Sequence, residues 1–252
     1  MTKISSLILT KNEEKNIVDC MESLAWCDEI VVVDDFSEDR TEELAKKIGA
    51  RVYRRALSGD FSSQRNYGIL KCENEWIFSV DADERVSEKL KDEIQTRVES
   101  VIEENGFSVK RCDELWGKKL MYGETGNAKF IRLAKKNSGK WLGKVHEKWK
   151  IDGRVGELKN PLSHFPHQKI SEFITEINFY SDIRARELSE LGVKVNTVEI
   201  FSYPLGKFLV NYFIKLGFLD GIPGLIIANM MSLHSFLVRG KLWLLNQQGK
   251  QR

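Results

Sequence analysis

Three carboxylates stand close together directly after an apolar stretch, within the segment WIFSVDADERV (Trp76–Val86). Asp81 and Asp83 are two positions apart, so in extended backbone their side chains project to the same side. A hard divalent cation that bridges them to a phosphate would relieve their repulsion, and Mg²⁺ and Mn²⁺ prefer such oxygen ligands. The pattern indicates either a metal–phosphate site or a solvated acidic turn, since short acidic turns are common.

The composition is that of a soluble globular chain that can bury a sizeable core. Its 252 residues are 42% hydrophobic and 30% charged. A formal net charge of +2 gives no case for a nucleic-acid partner. The four cysteines show no zinc-type spacing, and the apolar run near the N-terminus is too short for a signal peptide. We therefore expect a cytoplasmic protein.

The N-terminal part of the chain alternates strand-like and helix-like patterns, which predicts parallel strands joined by right-handed crossovers. The predicted strands are Lys3–Leu9, Ile30–Val33, Arg51–Arg54 and Trp76–Val80. The predicted helices are Glu14–Leu24, Thr41–Ile48, Phe61–Leu70 and Ser87–Glu104. Further strands are predicted within residues 106–111 and 128–134, and helix resumes from Ile170. The expected fold class is α/β, with a mainly parallel, Rossmann-like sheet flanked by helices and a helical C-terminal extension.

Polar side chains follow three of the four predicted strands at the point where each ends. In open parallel sheets, ligands bind outside the carboxyl ends of the strands. The residues at these ends are Thr10, Asn12 and Glu13, then Asp34 and Asp35, then Asp81 and Asp83. The set predicts one binding site at this edge of the sheet; the alternative is that these loops are polar only because they are solvated.

Several motifs, in this order, resemble the family 2 glycosyltransferases. They are LILTKNEEKNI (residues 7–17), VVVDDFSEDRT (31–41), SSQRNYGI (62–69) and VDAD (80–83). The resemblance covers roughly residues 3–150 and implies the nucleotide-sugar-binding fold called GT-A. The segments KVHEKW and SHFPHQKISEFITEINFYS are similar to the bacterial lipopolysaccharide-core β-glucosyltransferase subgroup.

The resemblance also implies a domain organisation. We expect a GT-A catalytic domain over residues 1–168, followed by a helical region over residues 169–252. Within the catalytic domain, the nucleotide-sugar half would cover about residues 1–100 and the acceptor half about 101–168.

The same resemblance implies donor-binding roles for the residues at the first two strand ends. Thr10, Asn12 and Glu13 would lie beside the nucleotide, and Asp34 would accept the N3–H of a uracil base. Asp35 would lie near the ribose or orient the loop. Alternatively, Asp34 and Asp35 belong to a loop that caps the next helix.

The resemblance also implies diphosphate and metal sites. Asp81 and Arg65 would bind the donor near its diphosphate, or Arg65 would pair with one of the aspartates. Asp83 would bind Mn²⁺ or Mg²⁺, and His164 is the candidate for a further metal ligand. His167 is a poorer candidate, and a structural role is the alternative for His164.

An inverting sugar transfer needs a base for the acceptor hydroxyl, and Glu147 is the predicted base. Many members of the family have an acidic pair here, whereas this sequence has His146 before Glu147. His146 and Trp141 are expected to bind the acceptor, because aromatic faces suit sugar rings; the alternative is that both are structural. Other acids remain possible bases, namely Asp113, Glu114, Glu124 and Asp152.

The C-terminal fifth of the chain is basic and apolar. Residues 203–252 hold six Lys or Arg residues against one acid. Lys207, Asn211 and Lys215 are spaced four apart, which predicts a polar stripe on an amphipathic helix. The apolar segment 225–238 has fourteen residues, fewer than the roughly twenty that span a bilayer. We expect this region to lie on the inner membrane face; the alternative is packing on the domain or on another subunit.

The expected function is therefore inverting, metal-dependent transfer of one sugar from a UDP-sugar, with UDP-glucose preferred, to a glycan or lipid-linked acceptor such as the lipopolysaccharide core. The sequence has no QxxRW motif of the kind that resembles processive synthases, which favours transfer of a single sugar. A catalytically idle binding module and a sugar nucleotidyltransferase are the alternatives. The nucleotidyltransferase would need a glycine-rich N-terminal loop, which SLILTKNEE lacks.

Overall fold

The computed structural model describes residues 2–100, 103–126, 128–144, 147–166 and 168–248. The chain divides into two compact units. The first unit comprises Met1–Arg111 and Ala128–His164, and the second comprises Cys112–Asn127 and Phe165–Arg252. A segment of the predicted acceptor half therefore folds in the same unit as the C-terminal helices.

The first unit is built around a sheet whose N-terminal half is parallel, as the sequence predicts. Its strands are β1 (Ile4–Thr10), β2 (Glu29–Asp34), β3 (Arg51–Arg54) and β4 (Trp76–Asp81). Their order is β3-β2-β1-β4, and each neighbouring pair is parallel. In this register Thr10 pairs with Asp34 and Leu9 pairs with Asp81. The predicted polar strand ends therefore share one edge of the sheet.

Three helices connect consecutive parallel strands, and a fourth leads into the strand that begins at Glu104. They are α1 (Ile17–Ser23), α2 (Thr41–Lys47), α3 (Phe61–Lys71) and α4 (Glu88–Glu99). The side chains of Asp60 and Ser87 cap α3 and α4 by accepting backbone N–H bonds. Helix α4 ends at Glu99 rather than at the predicted Glu104, because Ser100 takes an extended backbone and Glu104 already lies in a strand.

Further strands follow, and most of them continue the sheet with mixed directions. They are β5 (Glu84–Arg85), β6 (Glu104–Leu115), β7 (Lys118–Lys119), β8 (Lys129–Lys135), β9 (Gly139–Leu142), β10 (Lys148–Ile151), β11 (Arg154–Glu157) and β12 (Leu162–His164). Strand β8 is antiparallel to both β4 and β6. Strands β5 and β12 pair antiparallel, with His164 opposite Glu84. Strands β9 and β10 form a separate hairpin, in which Trp149 is opposite Trp141.

Apolar side chains cover both faces of the central strands. Ile8, Val32 and Phe78 are fully buried in one cluster, and Leu7 and Ile77 are fully buried in the other. Since successive residues of a strand face opposite sides, continuous apolar runs such as Trp76–Val80 supply both clusters. The sheet is therefore rigid where its carboxyl ends carry the polar residues.

The second unit is helical, which confirms the predicted C-terminal extension. It contains α5 (Ile170–Glu190), α6 (Thr197–Leu209), a π-helical turn (Val210–Ile214), a 3₁₀ turn (Gly217–Asp220) and α7 (Gly221–Gln248). Asn196 and Glu199 form a capping box at the start of α6. The small core of this unit joins segment 112–127 to α7 through Leu115, Leu120 and Ile227.

The apolar C-terminal segment is longer than the sequence analysis expects. Among the described residues, one stretch, Gly217–Gln248, is long and apolar enough by length and composition to cross a membrane. The expectation that this segment is too short to span a bilayer was wrong, because the helix continues on both sides of residues 225–238. Only 22% of its most apolar window is buried, which is low for the core helix of a soluble protein.

Close approach of α3 to the sheet gives a test of the first unit. A Cβ added at Gly68 would lie 2.3 Å from Leu7 Cδ1 and 3.1 Å from Val33 Cγ2. We expect Gly68→Ala to lower the free energy of unfolding by about 1–3 kcal/mol, the usual cost of overpacking. Urea denaturation measures it. Leu70→Ala is the control on the same helix, because Leu70 is exposed; equal midpoints for the two variants would contradict this packing.

Candidate functional site

Asp81, at the carboxyl end of β4, lies between two buried arginines. Its Oδ1 accepts a hydrogen bond from Arg65 Nη2 at 2.7 Å, and its Oδ2 accepts one from Arg132 Nη2 at 2.7 Å. Burial by itself would raise the pKa of Asp81, but Arg132 and Arg65 outweigh burial and hold it well below the ordinary range. Asp81 is therefore a carboxylate whose two oxygens are both engaged.

Arg65 connects Asp81 to the predicted base. It lies on the face of α3 that packs on the sheet, and its Nη1 donates to Ser79 Oγ at 2.9 Å. Its Nε donates to Glu147 Oε1 at 2.7 Å. The guanidinium also lies over the ring of Trp141, 4.7 Å from the centroid. One side chain thus holds two carboxylates that are 66 positions apart in the sequence (147 − 81 = 66).

The second arginine, Arg132 on β8, is a site residue that the sequence analysis missed. Its Nη2 also donates to Glu84 Oε1 at 2.6 Å, while Glu84 Oε2 accepts the backbone N–H of Asp81 at 2.9 Å. Glu84 is fully buried, and burial raises its pKa although Arg132 opposes that shift. The available signal was an arginine inside the apolar strand pattern AKFIRLA, where a solvated arginine is out of place.

Asp83 and His164, the two predicted metal ligands, are adjacent. Asp83 Oδ2 and His164 Nε2 are hydrogen-bonded at 3.1 Å. The β5–β12 pairing makes this contact, because it sets His164 opposite Glu84, the residue after Asp83. Within the described ranges, no group of three or more His, Cys, Asp and Glu side chains is placed to hold a metal ion.

Two protein ligands nevertheless suit one kind of metal site. Mg²⁺ in phosphate-binding enzymes commonly uses one or two side chains and completes its shell with phosphate oxygens and water. Asp83 and His164 are both partly accessible, with side chains 23% and 11% exposed. Asp81 keeps both of its oxygens on arginines. The residues therefore fit a cation that is held by two side chains and by the phosphates of a ligand.

Asp34 lies deeper than its predicted contact with a base requires. It is fully buried, and its carboxylate accepts hydrogen bonds from Thr10 Oγ1, Ser37 Oγ and Ser37 N at 2.9, 2.5 and 2.8 Å. Thr10 is buried as well. Asp35 is partly exposed, and its Oδ1 accepts the N–H of Leu57 at 2.9 Å. In this structure Asp34 and Thr10 organise the loop, and Asp35 is the more accessible of the two aspartates.

Asn12 and Glu13 hold the loop after β1 against the loop after β2. Asn12 has a left-handed backbone with φ 56°, accepts the N–H of Glu38 at 2.8 Å and donates its own N–H to Ser37 Oγ at 2.8 Å. The N–H of Glu13 donates to Thr41 Oγ1 at 2.7 Å. Asn tolerates this backbone better than most residues. The two loops therefore form one ordered rim.

Trp141 has a different environment from the one predicted. It is 4% exposed and stacks on Trp149, with ring centroids 5.2 Å apart. Covered by Trp149 and Arg65, the ring supports Arg65 instead of facing an acceptor. His146, also predicted to bind the acceptor, and His167 lie outside the described residues.

The candidate acids for the role of general base lie in different compact units. Asp113, Glu114 and Glu124 belong to the second compact unit, whereas Glu147 and Asp152 belong to the first. Glu124 accepts a hydrogen bond from Lys207 Nζ at 2.7 Å. Of these acids, Glu147 alone has a described hydrogen bond to the arginine that holds Asp81. The first unit thus combines a metal-type pair, Asp83 and His164, with an oriented carboxylate.

Comparison with known proteins identifies relatives of this chain. Residues 5–112 match the family model described as glycosyl transferase family 2. LpsC of Rhizobium meliloti, a lipopolysaccharide core biosynthesis glycosyltransferase, is 29% identical over 248 residues, which are 95% of this chain and 92% of LpsC. Glycosyltransferase RT0209 of Rickettsia typhi is 29% identical over 255 residues, which are 96% of this chain and 87% of that protein.

Solved structures that align with this chain were also found. Glucosyl-3-phosphoglycerate synthase of Mycobacterium tuberculosis, in complex with phosphoglyceric acid, aligns with a TM-score of 0.50 at 14% identity, over 77% of this chain and 81% of that one. Residues 1–349 of S. aureus TarS in complex with UDP-GlcNAc align with a TM-score of 0.47 at 15% identity, over 99% of this chain and 92% of that one. The predicted GT-A fold class is confirmed.

The buried charge network predicts a large cost for removing Arg132. Arg132→Met leaves Glu84 and one oxygen of Asp81 without their cation, so we expect a loss of about 3–5 kcal/mol in the free energy of unfolding. Arg132→Met/Glu84→Gln should recover part of this loss, because it removes both partners of one ion pair. Thermal denaturation by circular dichroism measures both. Arg154→Met, at an exposed arginine, is the matched control; equal stability of the two single variants would refute the network.

Proposed function

The chain belongs to family 2 of the glycosyltransferases and has the GT-A fold, and from this premise we propose that it transfers one sugar, with inversion, from a UDP-sugar to a glycan or lipid-linked acceptor. UDP-glucose is the preferred donor, and the lipopolysaccharide core is the preferred class of acceptor. The contacts that run from Asp81 through Arg65 to Glu147 carry this proposal, because they join a donor-side carboxylate to a candidate base.

Relatives support the donor and acceptor classes. LpsC, similar over nearly its whole length, is named for lipopolysaccharide core biosynthesis. TarS of Staphylococcus aureus, named a poly(ribitol-phosphate) β-N-acetylglucosaminyltransferase, is 34% identical over 104 residues, which are 36% of this chain and 18% of TarS. TarS has been crystallised with UDP-GlcNAc. These names favour a UDP-sugar donor and a cell-envelope glycan as acceptor.

Asp83 and His164 are the proposed ligands of Mn²⁺ or Mg²⁺. When bound, such an ion neutralises the charge that develops on a departing diphosphate. The 3.1 Å separation of the two side chains supports the assignment, since both can turn from each other toward a cation. Asp81 has a positioning role instead: its two oxygens hold Arg65 and Arg132 in place.

Glu147 is the proposed general base. Arg65 Nε binds Oε1 and orients the carboxylate, and the second oxygen would take the proton of the acceptor hydroxyl as that hydroxyl attacks the anomeric carbon. Positive charge develops on the sugar ring as the bond to the diphosphate breaks, as in glycoside hydrolysis. Attack opposite the departing diphosphate inverts the configuration at that carbon.

Base recognition is assigned to Asp35 in place of Asp34. A carboxylate is well suited to accept the N3–H of uracil. Asp34 is fully buried with three internal hydrogen bonds, whereas Asp35 is partly exposed beside it. Thr10, Asn12 and Glu13 would then support the nucleotide through the ordered rim.

The proposed location is the cytoplasmic face of the membrane, with the helical unit as the peripheral attachment. At this location the enzyme would be at the same surface as a lipid-anchored acceptor. The basic, apolar composition of residues 203–252 supports this location.

The metal assignment is tested by titrating UDP into the protein in the presence of Mn²⁺ and then of EDTA, by calorimetry. We expect binding with Mn²⁺, little binding with EDTA, and at least tenfold weaker binding for Asp83→Asn and for His164→Ala. Glu88→Gln, at an exposed carboxylate, should bind like the unaltered protein. Metal-independent binding of UDP would refute the assignment, and absence of binding under both conditions would refute the UDP-sugar donor.

The base assignment is tested with Glu147→Gln. We expect donor binding to persist while the rate of sugar transfer falls by about 10²-fold or more, the usual scale for loss of a general base. Transfer from UDP-glucose to a lipid-linked core glycan, followed by mass spectrometry, measures the rate. Unchanged transfer would move the role to another acid, with Asp152→Asn the next variant. Tight UDP binding without turnover of any sugar donor by the unaltered protein would instead indicate a binding module.

A further inference from the structure

Two residues of the predicted polar stripe, Lys207 on α6 and Asn211 in the π-helical turn, face the interior of the second unit, whereas the third, Lys215, is exposed. Lys207 Nζ donates to Glu124 Oε1 at 2.7 Å, and Asn211 Nδ2 donates to Glu124 Oε2 at 3.2 Å. Asn211 is buried. In a soluble amphipathic helix the apolar side packs inward and the polar side meets water. Here the polar side is the packed one, so the apolar side faces outward.

The outward apolar surface is concentrated where α6 turns back into α7. We call residues 210–222, which include the π-helical and 3₁₀ turns, the hairpin tip. Its six most exposed apolar side chains are 42–73% accessible: Phe213, Ile214, Leu216, Phe218, Leu219 and Ile222. An exposed apolar surface of this kind marks an interaction site.

The hairpin tip is an ordered part of its unit. The carboxylate of Asp220 accepts the backbone N–H groups of Met121 and Tyr122 at 3.2 and 3.0 Å. Lys118 Nζ donates to Asp220 O at 2.7 Å, and the N–H of Gly123 donates to the carbonyl of Lys215 at 2.9 Å. The apolar side chains are therefore held outward by a fixed backbone.

The pattern of exposure favours lipid over a protein partner. Phe213 to Leu216 are four consecutive exposed residues, and four consecutive residues of a helical turn point to all sides of its axis. A second protein would cover one side of such a tip and leave the others in water. A bilayer surrounds an inserted tip on every side.

The charge of the hairpin tip and its surroundings suits an anionic membrane. Lys215 and Lys119 are exposed, whereas Asp220, the only acid in residues 203–252, is buried. Lysines next to an inserted apolar segment are attracted to acidic lipid headgroups. Most of the apolar window of α7 is also outside the core, which extends the apolar surface from the tip.

We propose that the hairpin tip inserts into the interfacial layer of an anionic bilayer and anchors the enzyme there. This inference rests on the membrane location given under the proposed function and identifies the residues responsible for it. Insertion of the tip, with the lysines at the headgroups, brings the enzyme to the surface where a lipid-linked acceptor is found. The inserted side chains are the outward apolar ones, and Lys207 and Asn211 keep their hydrogen bonds to Glu124.

The test is flotation of the full-length protein with vesicles of phosphatidylcholine and phosphatidylglycerol in a 7:3 ratio. We expect the unaltered protein to float and Ile214→Ser/Leu219→Ser to partition at least tenfold less. The matched control is Leu191→Ser/Val198→Ser, which alters two well-exposed apolar side chains outside the tip and should change partitioning less than twofold. All three proteins should bind pure phosphatidylcholine vesicles more weakly, because the lysines then lose their partners.

The outcomes test three points separately: the role of the hairpin tip, the membrane location and the donor assignment. Equal flotation of the tip variant and the unaltered protein would overturn the assignment of the tip while leaving the membrane location intact. Absence of flotation of the unaltered protein, together with a dimer in light scattering that Ile214→Ser/Leu219→Ser dissolves, would overturn both and identify a protein interface. Binding of UDP with Mn²⁺ by the tip variant confirms its folding and tests the donor assignment separately.

Discussion

The structure of the first unit depends on one partly buried carboxylate, Asp81, held between the buried side chains of Arg65 and Arg132. Taking three charged groups out of water is costly, and the cost is recovered only when every partner is in place. The interaction therefore requires α3, β4 and β8 to meet with little freedom, and Glu84 completes it from the next turn. Sheet, helix and acidic turn are linked through charge as well as through apolar packing.

The same network separates the functions of neighbouring acids. Asp81 is neutralised by two arginines, so the repulsion that its spacing from Asp83 implies is largely removed. Asp83 is left to its contact with His164, which a strand pairing brings from 81 positions away (164 − 83 = 81). Arg65 also donates a hydrogen bond to Glu147, and its guanidinium packs on the ring of Trp141. A metal-type pair and an oriented carboxylate thus share one rigid support.

The second unit solves a different physical problem. Glu124 accepts hydrogen bonds from Lys207 and Asn211, and Asp220 accepts the backbone N–H groups of Met121 and Tyr122, whereas the apolar side chains of the hairpin tip remain exposed. Exposed apolar area is unfavourable in water, so this arrangement becomes more stable when a partner or a bilayer covers that area. An exposed apolar surface of this kind is consistent with the proposed transfer of a sugar to a lipid-linked acceptor.

The sequence by itself determined the parallel strands, the acids at their ends, the Asp81–Asp83 spacing and the family, because these features are local and periodic. The tertiary structure alone decided that Asp34 and Trp141 are buried, that Arg132 joins the site, that His164 reaches Asp83 and that Lys207 and Asn211 bind Glu124. The physical reason is the same in each case. Burial and charge pairing depend on residues that are distant along the chain. The spacing of residues within one segment does not show which distant side chains that segment will contact.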